Sequence, residues 1–315
     1  MRSLVLALIV TVATIIPSRA DPVTTARTVI DGFVVPRVQA FATRAAEQAL
    51  TFEAACGQMP IPLASLRTSF QATADAWNAV NIVRHGPMSE DFRIDRIYMW
   101  PERRNATTKA VAALLAGTGS DDLTDDAFAQ ASAAAQGLPA LERVLYDAGA
   151  EAAFQAPATG TRRCAVGLAI SRHLSTLAFE VASGWTRPDG EVARLKAGGE
   201  PAAVEALTRL ATDLMASYQV HVDQRLSPVL GTGPDAAKPA LAEFRRSGRA
   251  TRALTLEIEA TAALVNALTG NSPEAEAARQ ANATLLASVR QVKTELPDAV
   301  LNNDGRKPYV ALRDR

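Results

Sequence analysis

Apolar residues recur at helical spacing along most of this chain. After Pro62, the residues Leu66, Phe70, Trp77 and Val80 follow one another at intervals of four, seven and three positions. This spacing puts them on one face of a helix. No stretch between turn signals alternates apolar with polar residues over the length of a strand. The pattern therefore predicts an all-α protein.

Proline, glycine and polar residues mark where the predicted helices begin and end. The helices are expected at residues 23–52, 62–80, 101–116, 161–185, 201–226, 250–268 and 273–296, with shorter ones near Thr124 and Gly137. Pro36 predicts a kink in the first helix. Residues 85–100 predict an irregular connection, and connections of that length are often functional.

The clearest boundary signal is the segment 186–200, in which Pro188, Gly190, Gly198 and Gly199 crowd together. We expect an N-terminal helical bundle at residues 21–190 and a C-terminal helical bundle at residues 191–315. Residues 302–305 look like a turn, and residues 309–315 look like the first turns of an amphipathic helix. The second bundle is therefore expected to lack its last helix.

Residues 1–20 have the features of a signal peptide. Arg2 precedes an apolar run at residues 4–16, and Ser18-Arg19-Ala20 offers small residues at a cleavage site. The alternative, an N-terminal membrane anchor, needs roughly 20 apolar residues, and this run ends at Pro17. We expect cleavage after Ala20, export to the periplasm, and no transmembrane segment in the mature chain.

Composition and charge narrow the function classes. The chain has 315 residues, 48% of them hydrophobic and 21% charged, which excludes a disordered or collagen-like protein. Its 33 basic and 33 acidic residues leave no net charge. Nucleic-acid binding needs a strongly basic surface, so this class is set aside.

The two cysteines, Cys56 and Cys164, are expected to form a disulfide in an oxidising compartment. The alternative is a redox or haem-attaching cysteine. The chain contains no Cys-X-X-Cys spacing that would favour that role.

Several sequence blocks together resemble the imelysin family, also described as M75-like peptidases. The blocks lie at residues 77–80, 84–87, 93–102, 136–146 and 244–249. The resemblance implies an exported protein of two related four-helix bundles with a cleft between them. It also implies a link with iron uptake or regulation, and one founding member of the family was described as a metal-dependent protease.

The most informative block contains Gly137, Pro139 and Glu142. It matches the Gly-X-His-X-X-Glu motif of the family, but proline replaces the histidine. An imidazole and a carboxylate at i and i+3 of a helix can share a divalent cation, whereas proline offers no lone pair to a metal. We therefore assign no catalytic residue and expect that a divalent metal or iron site is weakened by Pro139. The alternative is a metal-dependent peptidase of the M75 type, in which Glu142 works with a ligand from elsewhere in the fold.

Arginine and aromatic side chains near this motif predict a ligand site. Guanidinium groups with aromatic walls suit a carboxylate or phosphate. The predicted ligand-binding residues in the cleft are Glu142, Arg96, Trp100, Arg84, Trp77, Arg246 and Ser247. Two alternatives remain open: Arg96 pairs internally with Glu142 or Asp95, and Glu142 only complements the helix dipole.

The histidines predict no catalytic site. His173 precedes Glu180 by seven residues, which is two turns of one helix face and long for one shared ion. His85 and His221 have no ligand spacing, and no His-Glu-X-X-His or Gly-X-Ser-X-Gly motif occurs. We therefore expect a non-catalytic binding or accessory protein of an iron-related process. Its partners would be a small anionic or iron-chelate ligand and other cell-envelope proteins.

Overall fold

The computed structural model describes residues 21–102 and 104–315. The predicted signal peptide at residues 1–20 lies outside the described residues. Within the described ranges the chain forms helices and no strand. The predicted all-α class is confirmed.

The α-helices of the described residues are numbered here in chain order. They are α1 (Pro22–Val29), α2 (Val35–Cys56), α3 (Leu63–Val80), α4 (Arg93–Ile97), α5 (Ala106–Ala116), α6 (Asp125–Ala129), α7 (Gly137–Tyr146), α8 (Ala150–Gln155), α9 (Pro157–Thr186), α10 (Glu191–Val220), α11 (Ser227–Leu230), α12 (Ala250–Thr269), α13 (Glu276–Arg290), α14 (Leu296–Ala299) and α15 (Asn303–Asp314).

The predicted kink near Pro36 takes the form of a π-helical segment, Ile30–Val34, between α1 and α2. The backbone N–H of Val35 bonds to the carbonyl of Ile30, five residues earlier. Pro36 has no N–H and its ring crowds the preceding turn, so the wider π turn accommodates it. The irregularity therefore lies just before the proline.

The region around residue 190 is more helical than predicted. Helix α10 begins at Glu191 rather than at Pro201, and the break after α9 is a short turn at residues 187–190. Gly199, with φ of +59°, bends α10 where the chain was expected to turn. Glycine adopts this left-handed conformation without steric cost, so the helix changes direction there and continues.

Other helix boundaries also differ from the predicted ones; α13, for example, spans Glu276–Arg290 rather than residues 273–296. Helix α5 begins at Ala106 rather than at Pro101, and α9 begins at Pro157 rather than at Thr161. Helix α15 includes residues interpreted as a turn, because the Asn302 side chain accepts a hydrogen bond from the N–H of Gly305 at 2.6 Å and caps the helix. The expectation that a further helix is missing stays a prediction.

A large apolar core joins helices from the first 190 residues with helices that follow them in the chain. Its largest fully buried side chains include Phe41, Phe70, Trp77 and Trp185, and it continues into α10 and α12. A smaller core lies between α11, α12, α14 and α15, around the buried Tyr309. The division into two bundles at residue 190 remains a prediction.

The predicted disulfide is confirmed. Cys56, the last residue of α2, is bonded to Cys164 near the start of α9, with 5.5 Å between their Cα atoms. The bond closes a loop of 108 residues. A loop of that length stabilises the fold by about 4 to 5 kcal/mol in the chain-entropy account.

No helix in residues 21–102 and 104–315 is long and apolar enough to cross a bilayer.

Candidate functional site

Helix α7 begins at Gly137, which lies against the backbone of α4. Gly137 has φ of +70°, and a Cβ at this position would lie 2.2 Å from the carbonyl oxygen of Ile97. Both features require glycine. The side chain of Gln136, just before the helix, donates to the carbonyl oxygens of Phe128 at 3.0 Å and Ala131 at 2.8 Å. The motif glycine thus sets the position of α7 against α4.

Pro139 lies in the first turn of α7 and is partly exposed. Proline is favourable there, because the N–H that it lacks would have no partner within the helix. Its ring offers no metal-binding nitrogen. The face of α7 that carries Glu142 one turn later therefore has a carboxylate without a neighbouring imidazole.

The Glu142 side chain is hydrogen-bonded inside the protein. Glu142 is 4% exposed, and Ser247 donates to its Oε1 from the backbone N–H at 2.9 Å and from the hydroxyl at 2.7 Å. Burial raises the pKa of Glu142, and the two bonds from Ser247 oppose the rise. The structure therefore brings together two residues of the predicted site that are distant in sequence.

The turn at residues 243–249, which precedes α12, has a second contact with α7. Arg246 donates from Nε to Asp147 at 2.6 Å, and Asp147 immediately follows α7. The N–H of Arg249 donates to the carbonyl of Phe244 at 3.0 Å and closes the turn. Arg245 is exposed. Of the two successive arginines, only Arg246 is directed at α7.

Tyr98 connects this turn to the core. Its hydroxyl donates to Glu243 Oε2 at 2.9 Å, and its ring stacks on Phe244 with 5.1 Å between ring centres. Trp77 packs against Tyr98 and Phe41, with ring centres 6.0 Å and 5.4 Å away. Trp77 is 1% exposed, which gives this predicted ligand residue a core position.

A buried ion-pair network extends from Glu243. Arg225 donates from Nε to Glu243 at 2.6 Å, and its Nη2 lies 2.6 Å from Glu257 Oε1. Asn81 donates to the same oxygen of Glu257. The other carboxylate oxygen lies 3.3 Å from His221 Nε2. One guanidinium thus pairs with two carboxylates away from water.

The two carboxylates of this network have shifted pKa values in opposite directions. Burial raises the pKa of Glu243 to about 7, against the attraction of Arg225. Burial also acts on Glu257, but Arg225 and His221 outweigh it and lower the pKa of that carboxyl. The same pair of acids raises the pKa of Arg225 above its ordinary value although burial opposes this. The attraction of Arg225 therefore outweighs burial at Glu257 but offsets only part of it at Glu243.

Glu243, Glu257 and Arg225 are absent from the set predicted from the sequence. One signal for Glu257 exists: it lies three residues after Leu254 and seven before Leu264, on the apolar face of α12. A charged residue at a core position indicates a buried ion pair. Arg225 lies in the π-helical segment His221–Leu226, whose geometry the sequence did not predict.

Arg84 is partly buried, and its guanidinium has no acceptor among the described residues. Its backbone N–H donates to Asp213 Oδ2 at 2.7 Å, and the same oxygen lies 2.6 Å from Nδ1 of His85. Burial, followed by repulsion from Arg225, lowers the pKa of Arg84. The guanidinium of Arg225 also lies 5.7 Å from the ring centre of the half-buried Trp100. Arg84 is thus a partly buried cation beside Arg225 whose guanidinium donates no hydrogen bond within the described residues.

Arg96 lies in a separate cluster. Its Nε donates to Gln136 at 3.1 Å, and its Nη2 donates to the carbonyl of Ala129 at 3.0 Å. The same Nη2 lies 3.0 Å from Nε2 of His173. Arg96 therefore contacts an amide, a carbonyl and an imidazole rather than a carboxylate such as Glu142.

The residues of the described ranges do not fit a metal site of the kind that the resemblance implies. His173 faces Arg96 and Gln136, whereas Glu180 accepts from Arg93 Nε at 3.0 Å, so the two do not share an ion. No group of three His, Cys, Asp or Glu side chains in residues 21–102 and 104–315 could bind a metal. At the motif itself, Glu142 is the one ligand type present, and Ser247 already bonds to its Oε1.

Comparison with protein families gives a match over most of the chain. The model of the family described as imelysin, peptidase M75, matches residues 34–314. Among curated proteins, none matches this chain.

Two solved structures are similar over almost the whole chain. An imelysin-like protein from Psychrobacter arcticum has a TM-score of 0.71 and 18% identity, and the alignment covers 93% of this chain and 91% of that one. A protein from Parabacteroides distasonis, carrying the name iron-regulated protein A precursor, has a TM-score of 0.70 and 13% identity, with 94% of each chain covered. At these identities the likeness concerns the fold.

His173 generates a prediction for the pH dependence of stability. Burial and the charge of Arg96 lower the pKa of His173 to about 4. In the unfolded chain its pKa is about 6.5, so between these values the unfolded state binds a proton that the folded state does not. The contribution of neutral His173 to the free energy of unfolding is fully present above pH 6.5. It is lost as the pH falls toward 4. We expect the loss to reach about 2 kcal/mol at pH 5.

The test compares the free energy of unfolding in urea at pH 7 and pH 5 for the wild type and for His173→Gln. Glutamine keeps a polar group beside Arg96 but does not titrate, so the variant should lose less stability than the wild type over this range. Equal losses in the two proteins would show that His173 is not held neutral.

Proposed function

We propose that this chain, which belongs to the imelysin family, is a non-catalytic binding or accessory protein of the periplasm in iron-related uptake or regulation. Family membership follows from the match to residues 34–314. The periplasmic location is supported by the signal-peptide features of residues 1–20. The iron-related process is supported by the family resemblance and by the name of the similar Parabacteroides protein.

The observation that carries the non-catalytic assignment is the bonding of Glu142. A carboxylate that serves as a metal ligand or general base needs lone pairs directed at the metal or substrate. Oε1 of Glu142 instead accepts two hydrogen bonds from Ser247. Pro139 supplies no nitrogen one turn earlier. The motif therefore serves to join α7 to the 243–249 turn.

The binding assignment rests on Arg84. Its partly buried guanidinium has no acceptor in the described part of the chain, and the neighbouring Arg225 guanidinium lies 5.7 Å from the ring centre of Trp100. An anionic or chelated ligand would supply the missing acceptor through paired N–H donors. In the proposed two-bundle arrangement, Arg84 and Trp100 come from the first part and Arg225 from the second, so the ligand would bind in the cleft between them.

The second candidate function is a metal-dependent peptidase of the M75 type. The family name favours it. It requires a nitrogen or oxygen ligand to replace the imidazole at position 139 and requires Glu142 to bind the metal through Oε2, the oxygen that Ser247 does not bond. Both requirements can be tested at this motif.

We expect the purified wild type to contain no stoichiometric zinc or iron and to show no proteolysis that a chelator abolishes. We expect Pro139→His to bind Zn²⁺ at least about tenfold more tightly than Pro139→Ala, a difference of about 1.4 kcal/mol. The reason is that only histidine restores a nitrogen ligand at i with Glu142 at i+3. Elemental analysis, peptidase assays and calorimetric titration measure these quantities.

Pro139→Ala is the matched control, because it also replaces proline in the first turn but adds no ligand. Stoichiometric metal in the wild type, with chelator-sensitive proteolysis, would exclude the non-catalytic proposal and favour the peptidase.

Ligand binding generates a separate prediction for Arg84. With citrate and ferric citrate as probes, we expect saturable binding to the wild type and a loss of at least about tenfold in affinity for Arg84→Gln, or about 1.4 kcal/mol. Removing the guanidinium removes the charge-assisted donors that an anion needs. Calorimetric titration and ligand-induced thermal shifts measure the change.

The control for this experiment is Arg96→Gln, because the donors of Arg96 already bond to protein acceptors. Equal weakening by both variants, or unchanged affinity in Arg84→Gln, would exclude Arg84 as the anion-binding residue.

A further inference from the structure

The connection between α3 and α4 is packed firmly onto α9 at its start. Its first helical turn, Gly86–Met88, contains Met88, which is fully buried. A Cβ at Gly184 of α9 would lie 2.7 Å from the ring of Pro87, so the two helical segments are in close contact. This end of the connection is therefore fixed to the body of the protein.

Arg93 fixes the other end. Its side chain is 10% exposed and donates to the carbonyl of Pro87 at 2.8 Å and to Glu90 at 3.0 Å. It also donates to Asp91 at 3.2 Å and to Glu180 of α9 at 3.0 Å. One guanidinium thus joins both ends of the connection to the neighbouring helix, which holds the residues between them in one conformation.

The conformation that is held is an unfavourable one. Asp91 has φ of +51° and Phe92 has φ of +55°, which puts two successive non-glycine residues in the left-handed region. Aspartate is tolerated there, but a bulky residue such as phenylalanine is an outlier. Such strain persists only where the surrounding structure enforces it, and it is concentrated at functional positions.

The strained segment carries an exposed phenyl ring. Phe92 is 79% exposed, which is the highest value among the large apolar side chains of the described residues. Three carboxylates bond to Arg93, the next residue in the chain: the side chains of Glu90, Asp91 and Glu180 are 52%, 75% and 42% exposed. One nearly buried guanidinium faces these three acids, so this cluster beside Phe92 in the chain has a net negative charge.

We propose that the 89–93 segment of this connection, with Glu180, is a docking site for a basic, partly apolar segment of another cell-envelope protein. Phe92 inserts into an apolar pocket or between aliphatic side chains of the partner. Lysine or arginine side chains of the partner pair with Glu90, Asp91 and Glu180. The strained backbone provides a rigid aromatic anchor, and the acidic rim selects the charge of the partner.

The negative charge of this surface disfavours two other occupants, a second copy of this chain and an anionic membrane. In a symmetric dimer formed through this surface, the acidic rims of the two copies would face each other and repel. Anionic lipid headgroups would be repelled in the same way. A basic protein segment is the occupant that this surface complements.

The experiment selects peptides from a display library on the mature chain and measures their affinity for variants. Phe92→Asn removes the ring, and asparagine tolerates the left-handed conformation better than phenylalanine does. We expect it to keep or raise the thermal midpoint while weakening the selected peptide at least tenfold.

Asp91→Asn, which keeps the backbone conformation and removes one acid, should weaken binding and its salt dependence. Phe179→Asn is the matched control, because Phe179 is 67% exposed but lies on the regular helix α9.

Selected peptides rich in lysine or arginine beside apolar residues, with affinity lost in Phe92→Asn and retained in Phe179→Asn, are the expected result. The proposal is overturned by acidic consensus peptides, by peptides that bind Phe92→Asn as well as the wild type, or by equal losses in both phenylalanine variants. Self-association or binding to anionic vesicles that depends on Phe92 would overturn it in favour of those occupants.

Discussion

A buried carboxylate is stable only when hydrogen bonds replace the water that it loses, and Ser247 supplies these bonds to Glu142. These hydrogen bonds fix the position of a whole turn as well as that of the Glu142 side chain. Because Ser247 belongs to the 243–249 turn, bonding to Glu142 sets the distance between that turn and α7. Arg246 adds a second bond at Asp147, one helical turn further along. The helix that carries the motif is therefore attached to a distant part of the chain at two points.

The same turn organises the buried charges beyond it. Glu243 and Phe244 position Tyr98 by a hydrogen bond and a ring stack, and Glu243 also bonds to Arg225. Acids satisfy Arg225 and Arg246, and uncharged partners satisfy Arg96. Arg84 lacks such a partner among the described residues. A ligand with negative charge is the natural acceptor for it, whereas the exposed ring of Phe92 suits a protein partner.

Much of the fold could be predicted from the sequence, because helical periodicity and turn residues report local preferences directly. The helices follow from this periodicity, the Cys56–Cys164 bond from the presence of only two cysteines, and the family from blocks of similar residues. The candidate site was only partly predictable. The motif identified Glu142, but its partner Ser247 lies 105 residues away, and no local pattern reports such a distance. Arg96 and Trp77 looked like ligand residues because of their chemistry, yet contacts with Gln136 and with the core use their side chains.

A double-mutant cycle between Glu142 and Ser247 tests the central claim most directly. Glu142→Met removes the acceptors at similar volume, Ser247→Ala removes the hydroxyl donor, and urea unfolding gives the free energy for each single variant and for the pair. The account predicts a favourable coupling energy of about 1.5 to 3 kcal/mol, the range for hydrogen bonds to a charged group. Additive effects, with a coupling energy indistinguishable from zero, would contradict it and would leave Glu142 free for another role.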